Sequence, residues 1–216
     1  LAASCDGDGD EADVAAGDAN GAGGEVPAVH EGVYLDTSDG LMWATANVGA
    51  ARAEDAGLFL AWAETVGKDE YSWYTYCYSG ESENNLTKYC ATSGCGLGGF
   101  TDAEELAELL PADDAATASW GSPWRTPSRE EWQTLIDECD WMWDKDNGMP
   151  GYRVASRRNP ARSIFLPAGG RWTFSSADYK GEMAYYWSRT LDETNPNYAY
   201  ALHSRSYLSD AVCLPS

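Results

Sequence analysis

From Pro127 onward the sequence changes character, and that change bounds the fold more tightly than any other feature. Ser128 and Glu131 have the spacing of a capping box, in which hydroxyl and carboxylate satisfy orphan backbone donors at a helix start. Trp132, Leu135, Ile136 and Cys139 then recur at the interval that places all four on one helical face, so the spacing predicts a buried stripe. Beyond Gly148 the helical period gives way to short strand-like runs at 163–166, 184–188, 198–202 and 212–214, separated by turns rich in Gly, Asn and Pro. Upstream, 41–45 reads as a strand and 53–64 as a helix presenting Ala56, Phe59, Leu60 and Trp62 to a core. Segment 71–99, crowded with Tyr, Ser, Gly and Asn, reads as loops packed by their own aromatics. Thr101 and Glu104 set up a further short helix ending before Pro111. Helices followed by a run of strands, rather than alternation, is an α+β arrangement.

Charge and cysteines narrow the function classes. A formal net charge of -21 surrounds the chain with a potential that repels phosphate backbones, so nucleic acid is excluded as a partner. Between Asp6 and Val29 there is no basic or aromatic residue, and so little apolar surface cannot offset the entropy of ordering. Residues 1–30 therefore read as a disordered acidic tether and 31–216 as the binding domain. The run Asp6-Gly7-Asp8-Gly9-Asp10 has the look of a calcium loop but lacks flanking helices and a bidentate glutamate. Leu1-Ala2-Ala3-Ser4-Cys5 resembles the end of a bacterial lipoprotein signal, which implies lipidation of Cys5, export, and contact with the membrane only through that anchor. Cys77, Cys90, Cys95, Cys139 and Cys213 then form an odd set. One local bridge within the trio at 77, 90 and 95 fits their spacing, and the connectivity stays open. Zinc would need paired Cys-x-x-Cys or histidine partners, and neither is present.

A family resemblance rests on motifs occurring in order. They are 41–50 (Leu-Met-Trp-Ala-Thr-Ala-Asn-Val-Gly-Ala), 60–64 (Leu-Ala-Trp-Ala-Glu), Asp113-Asp114-Ala115-Ala116 with Trp120-Gly121, Trp124-Arg125-Thr126-Pro127-Ser128, Ile164-Phe165-Leu166-Pro167-Ala168-Gly169, and Tyr185-Tyr186-Trp187-Ser188. Together they resemble the Fibrobacter succinogenes major paralogous domain over 32–216. That family is similar to the C-type-lectin-like fold shared with formylglycine-generating enzymes and with the variable proteins of diversity-generating retroelements. The resemblance implies small twisted antiparallel sheets, two flanking helices and long loops displaying a binding face. Function does not follow from fold and has to be argued from a site.

In the variable proteins the diversified residues follow the aromatic Trp-Ser motif. The matching stretch here carries Arg189, Thr190, Asp192, Asn195, Asn197, Tyr198, Tyr200, His203, Arg205, Tyr207 and Asp210, and Trp172 stands on a Gly-rich loop at its edge, read as exposed. Tyr and Arg bring contact area and strong hydrogen bonds, while Asn, Ser and Asp adapt to polar groups, the mix of a paratope. Adenine-directed mutagenesis of asparagine codons cannot reach Lys, Met, Trp, Gln or Glu, and none of the five occurs after Glu193. The expected role is a surface-displayed adhesin or receptor whose partner is a protein or glycan on another cell or phage.

An enzymatic role finds little support, and no cofactor is implied. The histidines are His30 and His203, one in the tether and one in the expected binding face, so triads lack a general base. A formylglycine-generating-enzyme-like oxidase would need a close cysteine pair near the C-terminus, where Cys213 stands alone. Asp113 with Asp114 reads as capping or pinning a loop, and Asp137 with Glu138 as the solvent side of the capped helix, rather than as glycosidase pairs. Arg125 reads as a structural arginine paired with an acid. A calcium-dependent carbohydrate-binding lectin is the alternative, with Asn195-Pro196-Asn197 a partial echo of its sugar loop; Asp144 to Gly148 reads as a tight turn rather than a metal loop.

Overall fold

A computed structural model describes residues 1–4, 30–90, 96–99, 101, 106–205 and 212–215. Cys5, the acidic run after it, most of the helix expected from Thr101, Cys95, Tyr207 and Asp210 lie outside the described residues.

The chain builds β1 (Ala3–Ser4), β2 (Gly32–Tyr34), β3 (Met42–Ala44), α1 (Ala115–Trp120), α2 (Arg129–Glu138), β4 (Cys139–Asp146), β5 (Met149–Ser156) and β6 (Ser163–Pro167). These are followed by β7 (Arg171–Thr173), β8 (Ser176–Asp178), β9 (Met183–Leu191), β10 (Ala199–Arg205) and β11 (Val212–Pro215). The strands form small antiparallel sheets ordered β1-β3-β2, β4-β5-β6 and β11-β10-β9, with β7-β8 a separate hairpin. The architecture is mixed helix and sheet, broadly α+β.

Helix α2 forms as the sequence predicts. Ser128 accepts from the Glu131 N–H, and the Glu131 carboxylate accepts from the Ser128 N–H in return. Arg125 grips the same carboxylate through two bonds of 2.7 and 2.6 Å, which fixes the angle at which the chain enters the helix. Burial pushes this carboxyl up, but Arg125 and the Ser128 N–H outweigh it and hold it below its ordinary value. Trp132, Leu135 and Cys139 are buried, with Ile136 at the edge, and Trp132 meets Trp43 with ring centroids 5.1 Å apart. Each fully buried side chain of this size contributes about 1.5–3 kcal/mol. Val154, Leu166, Tyr186 and Leu202 from the two larger sheets close the same core.

Three expectations need correction. No helix forms over 53–64, because Gly57 takes φ +74° at a point where a Cβ would lie 2.5 Å from the Val48 carbonyl oxygen. Leu58 N–H donates to that oxygen at 2.9 Å, and residues 58–62 run as an irregular strap. The Trp62 indole N–H donates to Ser188 O (2.8 Å) and the Trp187 indole N–H to Leu60 O (2.9 Å), a reciprocal clamp of strap on β9. Second, Leu1–Ser4 is not tether. Its small residues fill a slot beside Trp43, where Ala3 exchanges backbone bonds of 2.9 and 3.1 Å with Arg125 and pairs with β3 on its other side. Third, β4 was not expected. It leaves α2 at Cys139 and returns through Asn147 (φ 44°) and Gly148 (φ 88°), whose left-handed backbones suit a two-residue hairpin turn.

The carboxylate of Asp114 caps α1, accepting from Ala116 N–H (3.0 Å) and Thr117 N–H (3.1 Å), and also takes the Thr126 N–H at 2.9 Å. Cys90 is disulfide-bonded, whereas Cys77 and Cys139 keep free thiols. Cys77 thus takes no part in a local bridge.

Candidate functional site: an aromatic cleft

Two adjoining hollows of about 630 and 520 Å³ lie between the strap at 58–62, the aromatic segment 68–89, the β7-β8 hairpin, and strands β9 and β10. Trp62, Tyr71, Thr173, Trp187 and Tyr198 line both, so they form one divided cleft. Each is of the size that holds a small molecule.

Local bonds explain why these pieces meet. Tyr71 N–H donates to Phe174 O at 2.8 Å, docking the hairpin tip on the aromatic segment. The Tyr71 hydroxyl donates to Phe59 O at 2.5 Å and accepts from Lys68 N–H at 3.1 Å, tying that segment to the strap. The Trp172 ring sits 5.8 Å from Phe59 and 6.4 Å from Tyr71, centroid to centroid. Asp113 holds the far side of the segment. It accepts from Tyr78 at 2.6 Å, from Lys88 at 2.5 Å and from the Tyr89 hydroxyl. Glu64 accepts from both Lys68 Nζ and Cys77 N–H at 2.8 Å.

The rim is unusual for a surface. Tyr74, Phe174 and Tyr198 are 78%, 66% and 46% exposed, although such side chains are usually withdrawn from water. Phe174 also holds a left-handed backbone, φ 54°, which costs a non-glycine residue roughly 1–2 kcal/mol. Strain maintained at an exposed aromatic beside a cleft is the kind of feature that concentrates at binding sites. Inside, the Trp172 indole nitrogen, the Asn47 Oδ1 and the Asn197 Oδ1 are shut from solvent without a hydrogen-bond partner among the described residues. Each unmet group costs about 1–3 kcal/mol. All three residues line the cleft.

Its lysines are ion-paired, and its one cation without a carboxylate partner among the described residues is Arg171, which lies 5.5 and 5.7 Å from the Tyr179 and Tyr185 ring centroids. Lys68 is paired with Glu64 and lies 5.3 Å from the Tyr71 ring centroid; Lys88 is paired with Asp113 and lies 4.9 Å from that of Tyr78. Burial raises the Tyr76, Tyr78 and Tyr89 phenols, so they remain uncharged. His203, edge-on to Tyr185 at 4.5 Å, is lowered to about 4 by burial and then by Arg205 and Arg171, and is neutral at pH 7.

The residues expected to contact ligand divide sharply. Trp172, Asn197, Tyr198 and His203 come together at the cleft, although Trp172 is half-buried rather than exposed. Arg189 is turned inward, ion-paired with Glu108 and donating to Leu109 O at 3.1 Å. Thr190 accepts from Arg129 N–H at 3.1 Å, and Tyr200 lies beneath the Arg129 guanidinium. Asp192 is buried, its Oδ1 taking Thr194 N–H, Thr194 Oγ1 and Asn195 N–H between 2.6 and 2.9 Å, while Asn195 caps Asn197 N–H at 3.1 Å. These two shape the loop before β10. Arg205 is half-buried, and its carbonyl accepts from the Tyr152 hydroxyl at 3.0 Å. Sequence reasoning missed Phe59, Tyr71, Trp73, Tyr74, Tyr76, Phe174, Tyr185 and Trp187 as cleft residues. The density of rings from Tyr71 to Tyr78 was the available signal.

Among the described residues no three His, Cys, Asp or Glu side chains converge as a metal site, and no helix is long and apolar enough to cross a membrane. No protein-family model matches the chain, and no curated protein or solved structure matches it.

Proposed function

We propose that this chain is an exported, non-catalytic ligand-binding protein, displayed at the cell surface as an adhesin or receptor, which takes its ligand in the aromatic cleft. The observation that carries the reading is the pairing of exposed aromatics on the rim with unmet polar atoms in the wall. Apolar hollows with a few convergent polar groups are where ligands are bound and oriented. A C-type-lectin-like fold is the finer reading of the architecture; small antiparallel sheets, short helices and a long looped segment over β9 and β10 support it. Diversification by a retroelement remains part of the proposal, with Asn197, Tyr198 and His203 as the positions where sequence change would alter the cleft.

Anchoring through Cys5 carries a structural consequence. Processing before Cys5 removes β1, uncovering the edge of β3 and ending the two backbone bonds between Ala3 and Arg125.

The site is tested by displaying the protein on peptide and glycan arrays beside Tyr74→Ala and Phe174→Ala. Signals that fade in both variants support the cleft. Signals that survive both place binding elsewhere.

A further inference from the structure

We infer that the ligand of this cleft is a neutral oligosaccharide, held without a metal ion; the inference rests on the cleft being the binding site. The argument begins with charge. A chain of net charge -21 repels anions at long range, the lysines of the cleft, Lys68 and Lys88, are already neutralised by Glu64 and Asp113, and the remaining cation, Arg171, is turned onto the Tyr179 and Tyr185 rings. A cation finds no unpaired carboxylate in the cleft either, since its acids, Glu64 and Asp113, are the partners of those lysines, and the lysines already cover the Tyr71 and Tyr78 rings. A neutral ligand remains.

Hydrogen bonding then separates kinds of neutral ligand. The unmet atoms are one donor, Trp172 Nε1, and two acceptors, Asn47 Oδ1 and Asn197 Oδ1. A purely apolar ligand would leave all three unpaired. A proline-rich peptide, the usual occupant of an aromatic groove, offers carbonyls but few N–H groups, so the two acceptors would stay empty. A sugar hydroxyl both donates and accepts, and so meets either kind. The C–H face of a pyranose ring is flat and apolar and suits the exposed faces of Tyr74, Phe174 and Tyr198. The division of the cleft sets a minimum length. Asn197 lines one hollow and Trp172 and Asn47 the other, so a ligand that meets all three carries at least two rings. All three atoms are closed to solvent, so a ligand that meets them has to open the wall as it enters.

Isothermal titration with a panel of neutral di- to hexasaccharides (gluco-, manno-, xylo- and chito-series), with and without EDTA, tests this directly. At least one series is expected to bind more tightly than about 1 mM, equally well with chelator. Tyr74→Ala and Phe174→Ala, both at exposed positions, are each expected to weaken it about tenfold, and Met142→Ala, on the exposed face of β4, to leave it unchanged. Loss of binding with EDTA overturns metal-free recognition. If no saccharide binds while a proline-rich decapeptide does, and the two variants abolish that, the saccharide inference fails and the cleft stands. Saccharide binding indifferent to both variants overturns the inference and the cleft together, and binding by neither class overturns the inference.

Discussion

Replacing Asp113 with alanine tests how the cleft wall is held, because this carboxylate fastens the far side of the aromatic segment to the domain. Asp113 is 7% exposed and accepts from Tyr78, Lys88 and Tyr89. Truncation strands all three donors. Tyr89 is 2% exposed, and although its hydroxyl still accepts from Leu110 N–H at 3.0 Å, its own hydrogen is left buried and unpaired, at about 1–3 kcal/mol. Lys88 and Tyr78 are half-buried and turn partly to water, so they add only about 1 kcal/mol. A total of about 3 kcal/mol raises the population with the segment detached by roughly two orders of magnitude. Trypsin reads that population, since Lys68 and Lys88 are the basic residues of 68–89 and cleavage follows opening when closing is fast. Cleavage after Lys88 is expected to accelerate by about a hundredfold in Asp113→Ala, with Asp113→Asn, which keeps one acceptor, in between. A rate within about threefold of the wild type would show that ring stacking alone holds the segment, and the reasoning would fail. The effect has a pH signature. Burial pushes the Asp113 carboxyl up, but the bonds from Lys88, Tyr78 and Tyr89 outweigh it and lower it below 3.8. Its stabilisation is therefore complete above that value and disappears as pH falls through the folded value, where wild type and variant converge.

Other outcomes follow from the same bonding. Asp114→Ala removes the cap of α1 and strands Thr126 N–H, so a loss of about 2–4 kcal/mol is expected in urea denaturation; a loss below about 1 kcal/mol would contradict the capping role. Phe174→Asn relieves a left-handed backbone and is expected to gain up to about 1 kcal/mol in stability while weakening ligand binding, a trade that a purely structural hairpin tip would not show. His203 is lowered from 6.5 to about 4, so the unfolded chain takes up that proton first on acidification and stability declines between those values. His203→Phe is expected to flatten that part of the profile, and unchanged slopes would refute the assignment. Deleting Leu1–Ser4 is expected to destabilise the domain by about 2 kcal/mol or more through lost pairing and burial beside Trp43, measured as a lower urea midpoint; the intact mass of the protein from membranes shows whether the natural product keeps β1 or begins at Cys5.

What was legible in the sequence is what local chemistry determines. The capping box, the stripe of α2, the Arg125 ion pair and strands β6, β9 and β10 each depend on a few neighbouring residues, and they form as read. The 53–64 segment misled because Ala56, Phe59, Leu60 and Trp62 carry helical spacing, while Gly57 is held left-handed by a distant contact with Val48. Strand β4 was hidden by its charge: Asp140 and Asp144 flank the tryptophans that pack on Tyr152, and Lys145 and Asp146 follow them. The terminal ribbon was read as a single face, but alternation along β9 and β10 sends Tyr200 toward Arg129 and His203 into the cleft. The cleft itself depends on which loops come to face one another. Rings at Tyr71 and Phe174, a hundred residues apart, meet through one backbone bond that no local pattern announces.

Hydrogen exchange on the complex with the best array ligand tests the central claim most directly. The account predicts slowed exchange at 71–78, 172–175 and 195–199, the backbone around the cleft, with little change along β4 and β5. Slowing confined to 206–216 and the outward side of β10, with 71–78 and 172–175 untouched, would contradict it.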